Sequence, residues 1–273
     1  MGETASSFEK LTIYLMKIFA DYHMHPQGHK LQPYTFKLLD PWAESCFQKG
    51  VVDFCFTDHD RYREGIDFQV FDQWKQKFPT LNVRLGIERD NDPVSGHSGL
   101  IWVKENWEKL DFVLGSVHFI GDWPFDRNGF EDGFSKRPIE DIYRDYVKNL
   151  LQLIDQGFID SVAHLDLIKI FNYRPKGKIV DYFEPVLEKI KEKDLCLEIN
   201  TAGWRKPVKE QYPAEEILFK AVEMKIPISI GSDAHSWLEV GKGFSELLPL
   251  MNKLGIKEFA VFRSHTRQMV AVS

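Results

Sequence analysis

The chain has 273 residues, 43% of them hydrophobic and 28% charged, and a formal net charge of -6 from 35 basic and 41 acidic side chains. That is enough apolar material for one large α/β domain or two small ones, and about 250 residues is the usual size of a barrel of alternating strands and helices. The acidic balance argues against a broad nucleic-acid surface, and no apolar run approaches the ~20 residues that span a bilayer.

Residues 1–17 read as an N-terminal extension without a signal-peptide pattern, because Lys17 interrupts the apolar stretch that begins at Leu11. From 18 to 273 no repeat, low-complexity tract or linker breaks the chain, so this part reads as a single domain. Strands are expected over 18–22, 51–57, 81–87, 111–117, 159–163, 195–200 and 226–231, with an eighth run over 258–262. Helices are expected between them, over 41–48, 67–77, 138–156, 181–193, 214–224 and 245–254. In 138–156, Ile142, Tyr146, Leu150 and Leu153 recur at helical spacing and Gly157 stands where a C-cap would. In 214–224, Pro213 precedes the apolar set Ile217, Leu218, Ala221 and Val222. Strand and helix in alternation imply a parallel sheet, closed into a barrel or left open. Cys46, Cys55 and Cys196 form no CxxC pair and no even framework, which fits reduced, buried thiols of a cytoplasmic protein.

The histidines fall at the strand ends. His23 and His25 end the first strand, His59 the second, Glu88 the third, His118 the fourth and His164 the fifth; Asp233 and His235 follow the seventh. In a parallel barrel every C-terminal strand end opens on one face, and that face carries the active site. Residues two apart on an extended segment point the same way, so His23 and His25 reach one point, as do Asp233 and His235. Imidazoles and carboxylates are costly to bury unless paired or bound to metal. One such histidine would be ordinary, but packing gives no reason for this set at one rim. Metal is the expected partner. His29 joins the set from the loop after His25, whereas His97 and His265 fit no strand end and read as ordinary structural residues.

These motifs resemble the PHP (polymerase and histidinol phosphatase) superfamily. The opening His-x-His is Asp21-Tyr22-His23-Met24-His25, the second motif is Thr57-Asp58-His59, the third takes in Glu88 and His118, and the last is Gly231-Ser232-Asp233-Ala234-His235. More narrowly, residues 115–126 (GSVHFIGDWPFD) and 198–207 (EINTAGWRKP) resemble the histidinol-phosphate phosphatase branch. The resemblance implies a distorted (β/α)7 TIM-like barrel with two or three divalent transition-metal ions, Zn, Fe or Mn. It implies a first metal on His23, His25, Glu88 and Asp233, and a second on Glu88, His118 and His164, with Glu88 bridging. A third would lie on His29, His59 and His235, although the loop that carries His29 is shorter than is usual in this branch.

The implied activity is phosphomonoester hydrolysis, with L-histidinol phosphate as the substrate, in histidine biosynthesis. That reaction needs charge neutralisation, an activated water and help for the leaving alkoxide, all of which closely spaced metals supply. Imidazole and carboxylate ligands suit Zn, Fe or Mn without selecting among them. Glu88 and Asp233 are the carboxylates expected at the reacting centre, and Asp58 is a candidate proton donor or a support that orients a ligand. Arg205 and Lys206, after the sixth strand, suit the phosphate: a guanidinium fork matches its geometry and Lys adds a point charge. The loop over 121–127, with Asp122, Trp123, Phe125 and Asp126, is expected to close over the imidazole and amine by stacking and charge pairing, with Trp123 and Asp122 as the contacts and Phe125 packed on the barrel. Glu198 and Asn200 share one face of the sixth strand as polar supports. Rival readings are a PHP-type phosphoesterase for a nucleotide or phosphotyrosine, an amidohydrolase (which would carry Lys where His118 stands) and a metal-binding protein without turnover. The expected partner is a small phosphomonoester, with no nucleic acid and no membrane; the sequence leaves the oligomeric state open.

Overall fold

Short runs of buried apolar residues form the strands, and in the computed structural model, which describes residues 20–92 and 94–272, seven of them pair in parallel. They are β1 (Ala20–Met24), β2 (Asp53–Phe56), β3 (Asn82–Asp90), β4 (Phe112–Ser116), β5 (Ser161–Val162), β6 (Cys196–Asn200) and β7 (Ile228–Gly231). Their spatial order is their sequence order. The last returns to the first through a parallel bridge between Met24 and Ala234, where the His25 N–H donates to the Ala234 carbonyl at 2.8 Å. Of the two expected arrangements, the sheet takes the nearly closed barrel. The extension over 1–17 and the first two residues of the strand expected over 18–22 lie outside the described residues.

Seven α-helices among the described residues cover the barrel: α1 (Phe36–Lys49), α2 (Phe68–Lys75), α3 (Ser98–Asn106), α4 (Ile139–Gln156), α5 (Val180–Glu192), α6 (Glu215–Glu223) and α7 (Phe244–Leu254). Helix α4 buries the predicted stripe of Ile142, Tyr146, Leu150 and Leu153, and Gly157 (φ 69°) ends it. Helix α1 begins earlier than the expected 41–48. The Thr35 hydroxyl accepts from the Leu38 N–H and caps it, so Pro41 lies inside the helix and only forgoes one backbone bond. Helix α3 had no forecast, because it buries only Gly99 and Val103 and so shows no apolar stripe.

The eighth run forms β8 (Glu258–Arg263), which pairs antiparallel with β9 (Thr266–Ala271) outside the barrel sheet. This hairpin covers the N-terminal ends of the strands. Phe262 packs on Phe112 with ring centroids 4.6 Å apart. Tyr22 joins them: its hydroxyl donates to Asp53 at 2.6 Å and accepts from the Phe262 N–H at 2.9 Å. One end of the barrel is thereby closed, and the other is left for the histidines. The three cysteines are buried and unbridged, and no helix of the described residues is long and apolar enough to cross a membrane.

Candidate metal centre

The C-terminal strand ends deliver their side chains to one place. A register irregularity between Asp21 and Met24 in the β1–β2 ladder, the kind of local kink that re-aims side chains, spans His23 and precedes His25. Glu88 lies within β3 and stands at the centre. Its Oε1 is 2.9 Å from His164 Nε2, 3.5 Å from His118 Nε2 and 3.6 Å from His23 Nε2. Its Oε2 is 2.6 Å from His59 Nδ1 and 3.8 Å from His25 Nε2. Asp233 Oδ1 lies 3.3 Å from His25 Nε2, 3.8 Å from His23 Nε2 and 3.4 Å from His235 Nδ1. His59 and His235 bring their Nε2 atoms within 3.4 Å of each other.

Four groups of donors lie close enough for one cation each: His23, His25 and Asp233; His23, Glu88 and His164; His59, Glu88 and His118; and His25, His59 and His235. His29 belongs to none of these groups. It is exposed at the rim, with its ring stacked 4.2 Å from that of His235.

The donor set fits divalent metal. Nε2 of His23, Nε2 of His25, Nδ1 of His59 and Oε2 of Glu88 are buried yet form no aligned hydrogen bond. Buried polar atoms without partners are expensive, and so many converging on one volume make a fitting cation site. Protonation favours the same conclusion, since metal needs ionised carboxylates and neutral imidazoles. Burial would raise the Glu88 carboxyl, but His59, His118 and His23 hold it well below the ordinary range. Asp233 is likewise raised by burial and pulled well below by His23, His25 and His235. Burial, helped by neighbouring imidazoles, lowers His25 strongly; burial also lowers His59, to about 3. His118 and His23 run the other way: burial lowers both, but Asp90 and Glu88 lift His118 to about 9, and Glu198, Asp233 and Glu88 lift His23 well above the ordinary value. A bound cation would take the place of those protons.

Carboxylates behind the rings fix their direction. Glu198 Oε1 lies 2.7 Å from His23 Nδ1, and its Oε2 accepts from the His164 N–H at 2.8 Å and from the Asn200 amide at 3.1 Å. Gly231 makes room for this pairing: a Cβ there would fall 2.2 Å from Glu198 Oε1 and 2.4 Å from His23 Cβ. Asp90 holds His118 Nδ1 at 3.0 Å and also accepts from Arg61 at 3.0 Å. Asp233 adopts a left-handed backbone (φ 53°), a conformation that costs a non-glycine residue about 1–3 kcal/mol and concentrates at functional sites.

The PHP domain family matches residues 21–202, more than half of the chain. The chain belongs to the PHP domain family. A relative from Deinococcus radiodurans named "Probable histidinol-phosphatase" is 32% identical over 232 residues, covering 78% of this chain and 86% of the relative. The histidinol-phosphatase of Lactococcus lactis subsp. lactis is 27% identical over 265 residues, covering 89% of this chain and 93% of the relative. A crystal structure of histidinol phosphate phosphatase from L. lactis, complexed with zinc, L-histidinol and phosphate, superimposes with a TM-score of 0.70 at 24% identity, over 91% of this chain and 98% of that one. At that identity the likeness establishes the fold.

Beside the donor cluster of this PHP domain lies a cavity of about 680 Å³. Arg205 and Lys206 both line it. Arg205 Nη2 donates to the Ser232 carbonyl at 2.8 Å, and its Nη1 is buried without a partner. Asp122 and Trp123, expected to touch the substrate, do not line the cavity. Asp122 is exposed, and Trp123 donates to the Phe130 carbonyl and packs 4.8 Å from Phe134, in space that Gly133 leaves free. The loop instead presents Asp126 and Arg127 to the cavity, while Phe125 is buried against Tyr146.

Asp58 is also turned elsewhere. Its oxygens accept from the Gln27 N–H at 2.9 Å and the Tyr34 hydroxyl at 2.7 Å, and burial pushes its carboxyl up to about 7. It anchors the loop after β1 and is not among the residues lining the cavity. Asp90 and Arg61 went unnoticed in the sequence, although each stands two residues beyond a predicted ligand, Glu88 and His59. For Asp90, on the same strand as Glu88, the alternation of side chains along extended chain was the available signal; Arg61 lies in a 3-10 turn, where that alternation does not apply.

Proposed function

We propose that this protein hydrolyses L-histidinol phosphate to L-histidinol and inorganic phosphate, at a centre of two or three divalent Zn, Fe or Mn ions. The observation that carries this reading is the convergence of His23, His25, His59, His118, His164 and His235 with Glu88 and Asp233 beside a cavity bearing Arg205 and Lys206. The names of the relatives and the L-histidinol and phosphate held by the L. lactis enzyme support it. One metal is assigned to His23, His25, Glu88 and Asp233, and another to Glu88, His118 and His164. A third is assigned to His59 and His235, completed by His25 or His29.

Divalent ions bound there would neutralise phosphoryl charge and lower the pKa of water toward neutrality. The chain's own side chains supply the rest. Glu198 and Asp90 keep Nδ1 of His23 and His118 occupied, so that each Nε2 faces Glu88. Arg205, tied to the backbone before Asp233, offers its free Nη1 to a phosphoryl oxygen, and Lys206 adds a point charge. Leu167, Ile170 and Phe171 give the organic half of the ester an apolar wall.

Phosphate release from a panel of phosphomonoesters tests the proposal. The expected outcome is a kcat/KM for L-histidinol phosphate about 100-fold or more above those for nucleotides and phosphotyrosine. Equal, slow turnover of every ester would replace it with a general phosphoesterase. Arg205→Ala should raise KM by about 10- to 100-fold, the loss of one charged hydrogen bond, while the metal content is retained.

A further inference from the structure

The cavity beside the donor cluster carries four cations, Arg61, Arg127, Arg205 and Lys206. Apart from the candidate metal ligand Asp233, its lining includes one carboxylate, Asp126. Arg61 and His118 feel the charge of Asp126 but give it no hydrogen bond: Arg61 donates to Asp90 at 3.0 Å, and the guanidinium groups of Arg61 and Arg127 each lie 5.5 Å from the centre of the Phe119 ring. Asp126 Oδ1 is buried without a hydrogen-bond partner. Its backbone is held in place, because the preceding Phe125 is fully buried and packs edge-on against Tyr146 at 5.4 Å. The hydroxyl of Tyr212, on the same cavity wall, is also buried and unpartnered.

A carboxylate oxygen buried without a hydrogen bond is costly unless a ligand completes it. It would repel the phosphate, which the cations suit, so the group it awaits belongs to the other half of the ester. We propose that Asp126 is a specificity residue that accepts the ammonium group of the substrate, selecting phosphomonoesters with an amine on the organic half. The same charge disfavours esters whose organic half is anionic. This inference rests on the phosphatase reading above and adds to it the residue that recognises the leaving half.

The test compares kcat/KM for L-histidinol phosphate and for the same ester lacking its amino group, in wild type, Asp126→Asn and Asp126→Glu, with metal content measured on each sample. Wild type should prefer the amino ester by about 10- to 100-fold, the worth of one charged hydrogen bond. Asp126→Asn should bring that ratio close to one, and Asp126→Glu, which keeps the charge, should retain part of it. General damage to folding or metal binding would depress both esters alike and leave the ratio as it was. An unchanged ratio in Asp126→Asn therefore overturns the role of Asp126. So does a wild type that hydrolyses both esters equally, an outcome that leaves the phosphatase reading standing. A wild type that hydrolyses neither ester but turns over others removes the histidinol-phosphate reading, and this inference with it.

Discussion

Glu198 grips two of the converging groups at once, the ring of His23 and the backbone of His164. Neutralising it as Glu198→Gln should cost about 10- to 100-fold in metal affinity or turnover, the usual penalty for losing a carboxylate behind a metal-directed imidazole. Metal content after dialysis and kcat/KM would read this directly, and unchanged values would reduce Glu198 to a packing residue. Gly231→Ala should act through the same pair, since the new methyl would displace either Glu198 or His23; the expected result is a folded protein with less bound metal. At this scale the sequence spoke clearly about imidazoles, which have no packing reason to gather at strand ends. It spoke poorly about Asp58. Adjacency to His59 suggested a shared task, but neighbouring residues on extended chain face opposite ways, and Asp58 holds Tyr34 and Gln27 instead.

At the scale of elements, the β8–β9 hairpin is pinned by a histidine that the motifs left aside. The His265 ring lies flat on Trp107 at 3.5 Å, with Nδ1 2.8 Å from Asp160 and Nε2 3.0 Å from the Trp107 carbonyl. Both partners are acceptors, so the cationic imidazole, with both ring nitrogens donating, is the form that satisfies them. Burial lowers its pKa, but the bond and charge of Asp160 raise it above the ordinary histidine value. A folded pKa above the unfolded one stabilises fully below about pH 6.5 and loses that contribution as pH rises through the folded value. Relative to wild type, His265→Gln should thus be destabilised by about 1–3 kcal/mol at pH 6 and by less at pH 9. Thermal melts at both pH values check this; a pH-independent difference would contradict it.

Two loops of the open end are joined by another buried charge. Lys169 lies 2.8 Å from Asp166, 2.9 Å from Glu210 and 2.8 Å from the Gln211 carbonyl, linking the loop of His164 to that of Arg205 and Tyr212. Lys169→Met would strand Asp166 and should cost about 3–5 kcal/mol in denaturant unfolding. Neither tie was legible beforehand, because each depends on partners distant in sequence. Helix α3 and strand β9 were missed for a different reason: they bury too little apolar surface to leave a periodic signal.

The whole molecule divides its barrel between two ends. Aromatic residues and a hairpin seal one, and the strand termini crowd imidazoles and carboxylates into the other. The alternation of strand and helix made this plan legible, and the order of the histidines told which end would carry chemistry. Closure of the sheet was not legible in the alternation alone, which fits an open sheet equally well; the resemblance to the PHP superfamily implied it, and β7 returns to β1 at Met24 and Ala234. The claim that joins these parts is that the polar end works as a metal centre for phosphate-ester hydrolysis. Its most direct test is to strip the protein with a chelator and titrate zinc or manganese back while following phosphate release from L-histidinol phosphate. The stripped protein should show no turnover, and recovery should level off at about two to three equivalents of metal; full turnover by metal-free protein would rule the metal centre out.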